Sequence, residues 1–102
     1  MIRRDIQNEL LECSREYPVI CVTGPRQSGK TTLARAAFPD HGYVSFEDPI
    51  TRGYFNEDPQ GLLQKHGEGA IFDEVQHVPD LFSYLQGIVD TEPMPGRFVL
   101  TG

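Results

Sequence analysis

Residues 24–31 read GPRQSGKT, two glycines followed by lysine and threonine at the spacing GxxxxGKT. An apolar, β-branched run, VICVT (19–23), precedes them, and KTTLARAAF follows, so the motif joins a strand to a helix. The chemistry of such a loop is phosphate binding. Gly24 and Gly29 permit the turns that aim successive backbone N–H groups at one point, and the following helix adds the positive end of its dipole. Lys30 is placed to reach β- and γ-phosphates, and the Thr31 hydroxyl to ligate Mg²⁺. Pro25, Arg26, Gln27 and Ser28 complete the loop, and Thr32 extends the contact toward an α-phosphate.

A second chemical feature lies roughly forty residues downstream, where AIFDE (70–74) runs as a strand into two carboxylates. Asp73 stands where an acid holds the magnesium ion through a water. Glu74, one residue on, is placed to polarise a water for attack on a γ-phosphate. A second acid at this point suits hydrolysis, whereas phosphoryl transfer to a substrate does not require it. Glu47 and Asp48, in VSFEDP, have two readings: acids lining the crevice at a strand end, or a solvated acidic turn before proline. Arg26 is a partner for phosphate or for one of these acids, and Arg35, on the helix after the loop, is read as solvated.

These residues need elements to position them. Ile2, Ile6, Leu10, Cys13 and Tyr17 recur at helical spacing until Pro18, which predicts a leading helix over 1–17 and a core over 18–102. The continuous apolar character of 19–23 predicts a strand covered on both faces, with Cys21 a buried reduced thiol. YVSF (43–46), AIFDE (70–74) and RFVLTG (97–102) are the further strands. Helices are predicted over 30–38, over the short PQGLLQKH stretch opened by Asp58-Pro59, and over PDLFSYLQGIVD (79–90), with Leu81, Tyr84, Leu85, Ile88 and Val89 on one face. Residues 50–58 give no clear signal. Strands alternating with helices predict βαβ units, a parallel sheet and a three-layer α/β/α architecture.

Composition sets the outer limits. A chain of 102 residues makes one small domain, and its formal net charge of −6 argues against nucleic-acid binding by this stretch as a whole. No apolar run approaches the roughly 18 residues of a membrane span, and the N-terminus lacks the apolar core of a secretory signal, so the cytoplasm is the expected location. Cys13 and Cys21 fit no metal pattern, and His41, His66 and His77 are scattered, which makes them packed or solvated rather than ligands.

Taken together, VTGPRQSGKTTL, VSFEDP, IFDEVQHVPDLFSYLQGIVD and GRFVLTG resemble, in order and over essentially the whole chain, the bacterial and archaeal AAA-like ATPases of the ASCE division of P-loop NTPases. The resemblance implies an ATP-binding, Mg²⁺-dependent ATPase with sheet order 5-1-4-3-2. It makes Gly24–Thr31 the Walker A loop, Asp73 the Walker B acid and Glu74 the catalytic glutamate. RFVLTG corresponds to the strand that delivers a polar sensor residue, and Ser45 stands where related chains often carry Asn. The fifth strand, arginine finger, lid and C-terminal domain of that family have no counterpart in these residues. The expectation is therefore an N-terminal portion of an ATPase domain, truncated after its fourth core strand. Such a piece should bind ATP or ADP and turn over poorly, and, with a bare edge at Val19, Cys21 or their neighbours, should form a dimer or homo-oligomer, swap elements or be only marginally stable. Two other readings stay open: a nucleotide-dependent regulatory module with little turnover, and a P-loop small-molecule kinase.

Overall fold

The computed structural model describes residues 11–13, 15–22 and 29–102. Four strands, β1 (Val19–Val22), β2 (Gly42–Ser45), β3 (Ala70–Asp73) and β4 (Phe98–Thr101), form one sheet in the order β1-β4-β3-β2. Every pairing is parallel. The helices are α1 (Lys30–Ala37), α2 (Pro49–Glu57), α3 (Pro59–Lys65) and α4 (Leu81–Thr91), with a 3₁₀ turn at Val75–His77. The expected three-layer α/β architecture is present. The leading helix falls largely on residues outside those described; residues 11–13 of it are helical.

Strand alternation divides the core in two. Ile20, Val22, Ile71 and Val99 face α1 and pack on its Leu33, Ala34 and Ala37. Val44, Phe72, Phe98 and Leu100 point the other way, onto Leu63 of α3 and Leu81, Leu85 and Val89 of α4. Phe46, just past β2, joins this second layer, edge-on to Phe55 of α2 and stacked on Phe72. Both central strands, β3 and β4, are buried throughout, as strands covered on two faces must be.

β1 departs from its expected environment. Its burial alternates, and Cys21 is exposed where a covered thiol was expected. The cause is layer geometry. Among the described residues, Ile20 and Val22 are covered on the α1 face, while Cys21 lies on the other face along an apolar cleft of about 380 Å³ with Phe82 and Leu100. Partial burial in that cleft still raises the Cys21 thiol pKa.

The ambiguous stretch at 50–58 is helical, and the reason is local. Asp48 caps α2, its Oδ1 accepting from the Ile50 N–H at 2.9 Å, with Pro49 at the first helical position. This repeats the Asp58-Pro59 signal that opens α3, where Asp58 Oδ1 accepts from the Gly61 N–H at 3.1 Å. Asp48 is thus a helix cap rather than an acid of the crevice. α4 buries Leu81, Leu85 and Val89, leaving Tyr84 half-exposed with its ring edge-on to Phe55.

Candidate active site

Parallel strands end together, and β3, β4 and the start of α1 bring their polar residues to the carboxyl edge of the sheet. Gly29 stands before α1 at φ 75°, a left-handed conformation that suits glycine. Among the described residues no side chain caps α1 and no acid sits in its first turn, so the dipole end stays available to an anion. Gly24, Pro25, Arg26, Gln27 and Ser28 lie outside the described residues. Thr32, on the same turn, is exposed.

Lys30 and Thr31 diverge within this turn. The Lys30 side chain is buried, and its ammonium donates to the Gly102 carbonyl at 2.8 Å. Thr31 turns to the sheet and donates to Asp73 Oδ1 at 3.2 Å. The loop residues Lys30 and Thr31 and the acid Asp73, expected to meet around one ligand, therefore share one edge of the fold.

Asp73 is the hub of the site. Its Oδ1 also accepts from the Thr101 hydroxyl at 2.5 Å and from the Glu74 N–H at 3.0 Å. Its Oδ2 accepts from the Tyr43 hydroxyl at 2.7 Å. Burial alone would push the Asp73 carboxyl up. Hydrogen bonds from Thr101, Tyr43, Thr31 and the Glu74 amide outweigh it and hold the group below the usual carboxylate value. Asp73 therefore stays ionised at neutral pH. The same contacts act on Tyr43, whose phenol is pushed up to about 12 by burial and then by its bond to Asp73 and that residue's charge.

Glu74 is buried, and its backbone adopts φ 58°, ψ 45°. It is the one non-glycine with positive φ among the described residues, in a conformation that costs a side-chain-bearing residue about 1–2 kcal/mol. The Gln76 side-chain amide donates to Glu74 Oε2. A strained, buried glutamate directly after the hub acid marks the site independently of any motif.

Three participants were not expected: Tyr43, Thr101 and Gln76. Thr101 carried a usable signal, a hydroxyl at the end of an apolar strand parallel to AIFD. Tyr43 did not, because its contact depends on the β2–β3 register, in which Tyr43 stands opposite Ile71 and Ser45 opposite Asp73. Arg35, expected to be solvated, is exposed and in addition lies over the Tyr43 ring at 4.6 Å from its centroid. Among the described residues no group of three or more His, Cys, Asp and Glu side chains is placed to hold a metal ion. None of the described helices is long and apolar enough to cross a membrane.

A parallel sheet flanked by helices, with a glycine-led helix start facing strand-end acids, defines an α/β nucleotide-binding domain of the P-loop type. Residues 16–102 match the family model described as AAA domain, and the chain belongs to that family, a class of nucleotide-binding, ATPase-like domains. The chain is 37% identical over 102 residues to uncharacterised proteins of Mycobacterium bovis and of Mycobacterium tuberculosis. The alignment covers 98% of this chain and 23% of each relative, so the chain spans about a quarter of their length. No solved structure matches it.

Proposed function

We propose that this domain binds ATP with Mg²⁺ and hydrolyses it, driving a conformational change in a longer protein. The observation that carries the reading is the contact of the Thr31 hydroxyl with Asp73 Oδ1 at 3.2 Å, which joins the phosphate loop's helix to the strand-end acids. The donor set fits Mg²⁺, which prefers hard oxygen ligands and keeps several waters. Thr31 and Asp73 would hold the ion, and its bound charge would offset that developing on the transferred phosphoryl oxygens.

The chain's own groups supply the rest. The open first turn of α1 presents N–H groups to phosphate oxygens. Lys30 holds its ammonium at the same edge, on a carbonyl that an anionic oxygen would replace as acceptor. Glu74 accepts a proton from the attacking water, its carboxylate oriented by Gln76. A kinase reading lacks support, since among the described residues at this edge none is placed to select an acceptor hydroxyl over water.

Two substitutions in the full-length protein test the reading. Glu74→Gln should lower phosphate release about 10²–10⁴-fold, the usual contribution of a general base, while ATP remains bound. Lys30→Ala should abolish binding of a fluorescent ATP analogue. Unchanged phosphate release in the first variant would remove Glu74 from the mechanism and favour a binding module. Retained affinity in the second would remove the phosphate grip.

A further inference from the structure

Around Asp73 the donors are distributed unevenly. Oδ1 takes Thr31, Thr101 and the Glu74 amide, whereas Oδ2 takes the Tyr43 hydroxyl at 2.7 Å. Three donors converge on one oxygen, and a donor on the second oxygen holds the carboxylate's rotation even when a donor on the first is drawn away. Tyr43 fills that place from the neighbouring strand, reaching diagonally from a position opposite Ile71. Its ring contributes little to the core, since Tyr43 is 37% exposed, so packing does not account for a large aromatic here. Arg35 covers the ring at 4.6 Å, and it follows Thr31 by one turn of the same helix. Thr31, Asp73, Tyr43 and Arg35 therefore close a circuit from the first turn of α1 through two strands and back to α1.

We infer that Tyr43, held by Arg35, is a positioning residue that sets the rotation of the Asp73 carboxylate and so tunes the domain's response to a divalent cation. Thr31 is the donor that nucleotide draws away, because it stands on the phosphate-facing turn. Tyr43 is remote from that turn in sequence and remains on Oδ2 when Thr31 leaves. The circuit also links the cation's acid to the C-terminal half of α1, so a shift of that helix reaches Asp73 through the Arg35–Tyr43 stack.

This inference rests on the proposed nucleotide site, and its test separates the two. In the full-length protein, binding of a fluorescent ATP analogue is titrated against Mg²⁺ and repeated in EDTA. Tyr43→Phe, which keeps the ring and the Arg35 contact, should raise the half-saturating Mg²⁺ about tenfold, as loss of an outer partner of a metal acid does. Its affinity in EDTA should match the unsubstituted protein. Arg35→Met should raise the Mg²⁺ midpoint about twofold to fivefold, in keeping with one cation–π contact. A merely structural Tyr43 would weaken binding equally with and without Mg²⁺, and that result would overturn the inference, as would a midpoint within twofold in Tyr43→Phe. Failure of the unsubstituted protein to respond to Mg²⁺ at all would bring down the proposed function and this inference with it.

Discussion

The sheet carries buried charged groups at both ends, and two of them, Arg97 and Asp73, are satisfied in opposite ways. At the amino end, Arg97 is held by backbone: its Nε donates to the Gly67 carbonyl at 2.6 Å and its Nη1 to the Glu92 carbonyl at 3.0 Å. The Glu92 carboxylate, 3.9 Å away and exposed, adds little. At the carboxyl end, Asp73 is held chiefly by the side-chain hydroxyls of Thr31, Tyr43 and Thr101. Carbonyls of ordered turns cannot leave without unfolding something, whereas a hydroxyl can rotate about one bond and serve another ligand. The first arrangement suits a structural clamp and the second a site that exchanges partners.

Substitutions at the two ends should therefore fail differently. Arg97→Met removes a buried cation and strands two carbonyls, so the largest stability loss is expected here, about 2–4 kcal/mol by urea unfolding. Nucleotide affinity of the folded fraction should not change, and a binding loss without a stability loss would erase the distinction between the ends. Thr101→Val keeps the shape of the side chain but deletes one donor to the ionised Asp73, for about 1.5 kcal/mol. In contrast to Arg97→Met, this variant should also shift the Mg²⁺ midpoint of nucleotide binding. An unmoved midpoint would make Thr101 a structural residue like Arg97.

The smallest effect concerns His66, at the C-terminus of α3. Burial, then the neighbouring Lys65 charge, lowers its pKa below the ordinary value. The unfolded chain thus takes up this proton more readily than the folded one. The stabilisation is complete above the unfolded value of about 6.5 and is lost as pH falls through it toward the lower folded value. His66→Gln should flatten the fall in Tm between pH 7.5 and 5.5 without moving the Mg²⁺ midpoint, and an equally steep fall in both proteins would remove His66 as its source.

Much of this molecule is written locally. Asp58-Pro59 opens a helix because proline fixes the first helical φ and aspartate satisfies a free N–H, and Asp48-Pro49 does the same in a stretch whose apolar spacing is silent. AIFD reads as a strand because a short apolar run ends in two carboxylates, and in the fold all four of its residues are buried. Cys21 is exposed despite its setting because a run of β-branched neighbours shows that a strand is apolar without showing how many of its faces a helix covers. Arg35 is exposed as its helix position predicts, but that position says nothing of the Tyr43 ring that β2 brings beneath it.

The sequence alone determined which residues can do chemistry: glycines spaced for a phosphate loop, Lys30 and Thr31 at a helix start, and Asp73 and Glu74 at a strand end. These follow from bonds and turns between near neighbours. The tertiary structure decided what surrounds that chemistry: Tyr43 and Thr101 on the Asp73 carboxylate, Arg35 on Tyr43, and the exposure of Cys21. The two contacts on the carboxylate join residues 30 and 28 positions apart, and the Arg35–Tyr43 contact and the exposure of Cys21 depend on which element lies beside which. Parallel register sets them, and it forms only when the whole sheet and its two helical layers pack together.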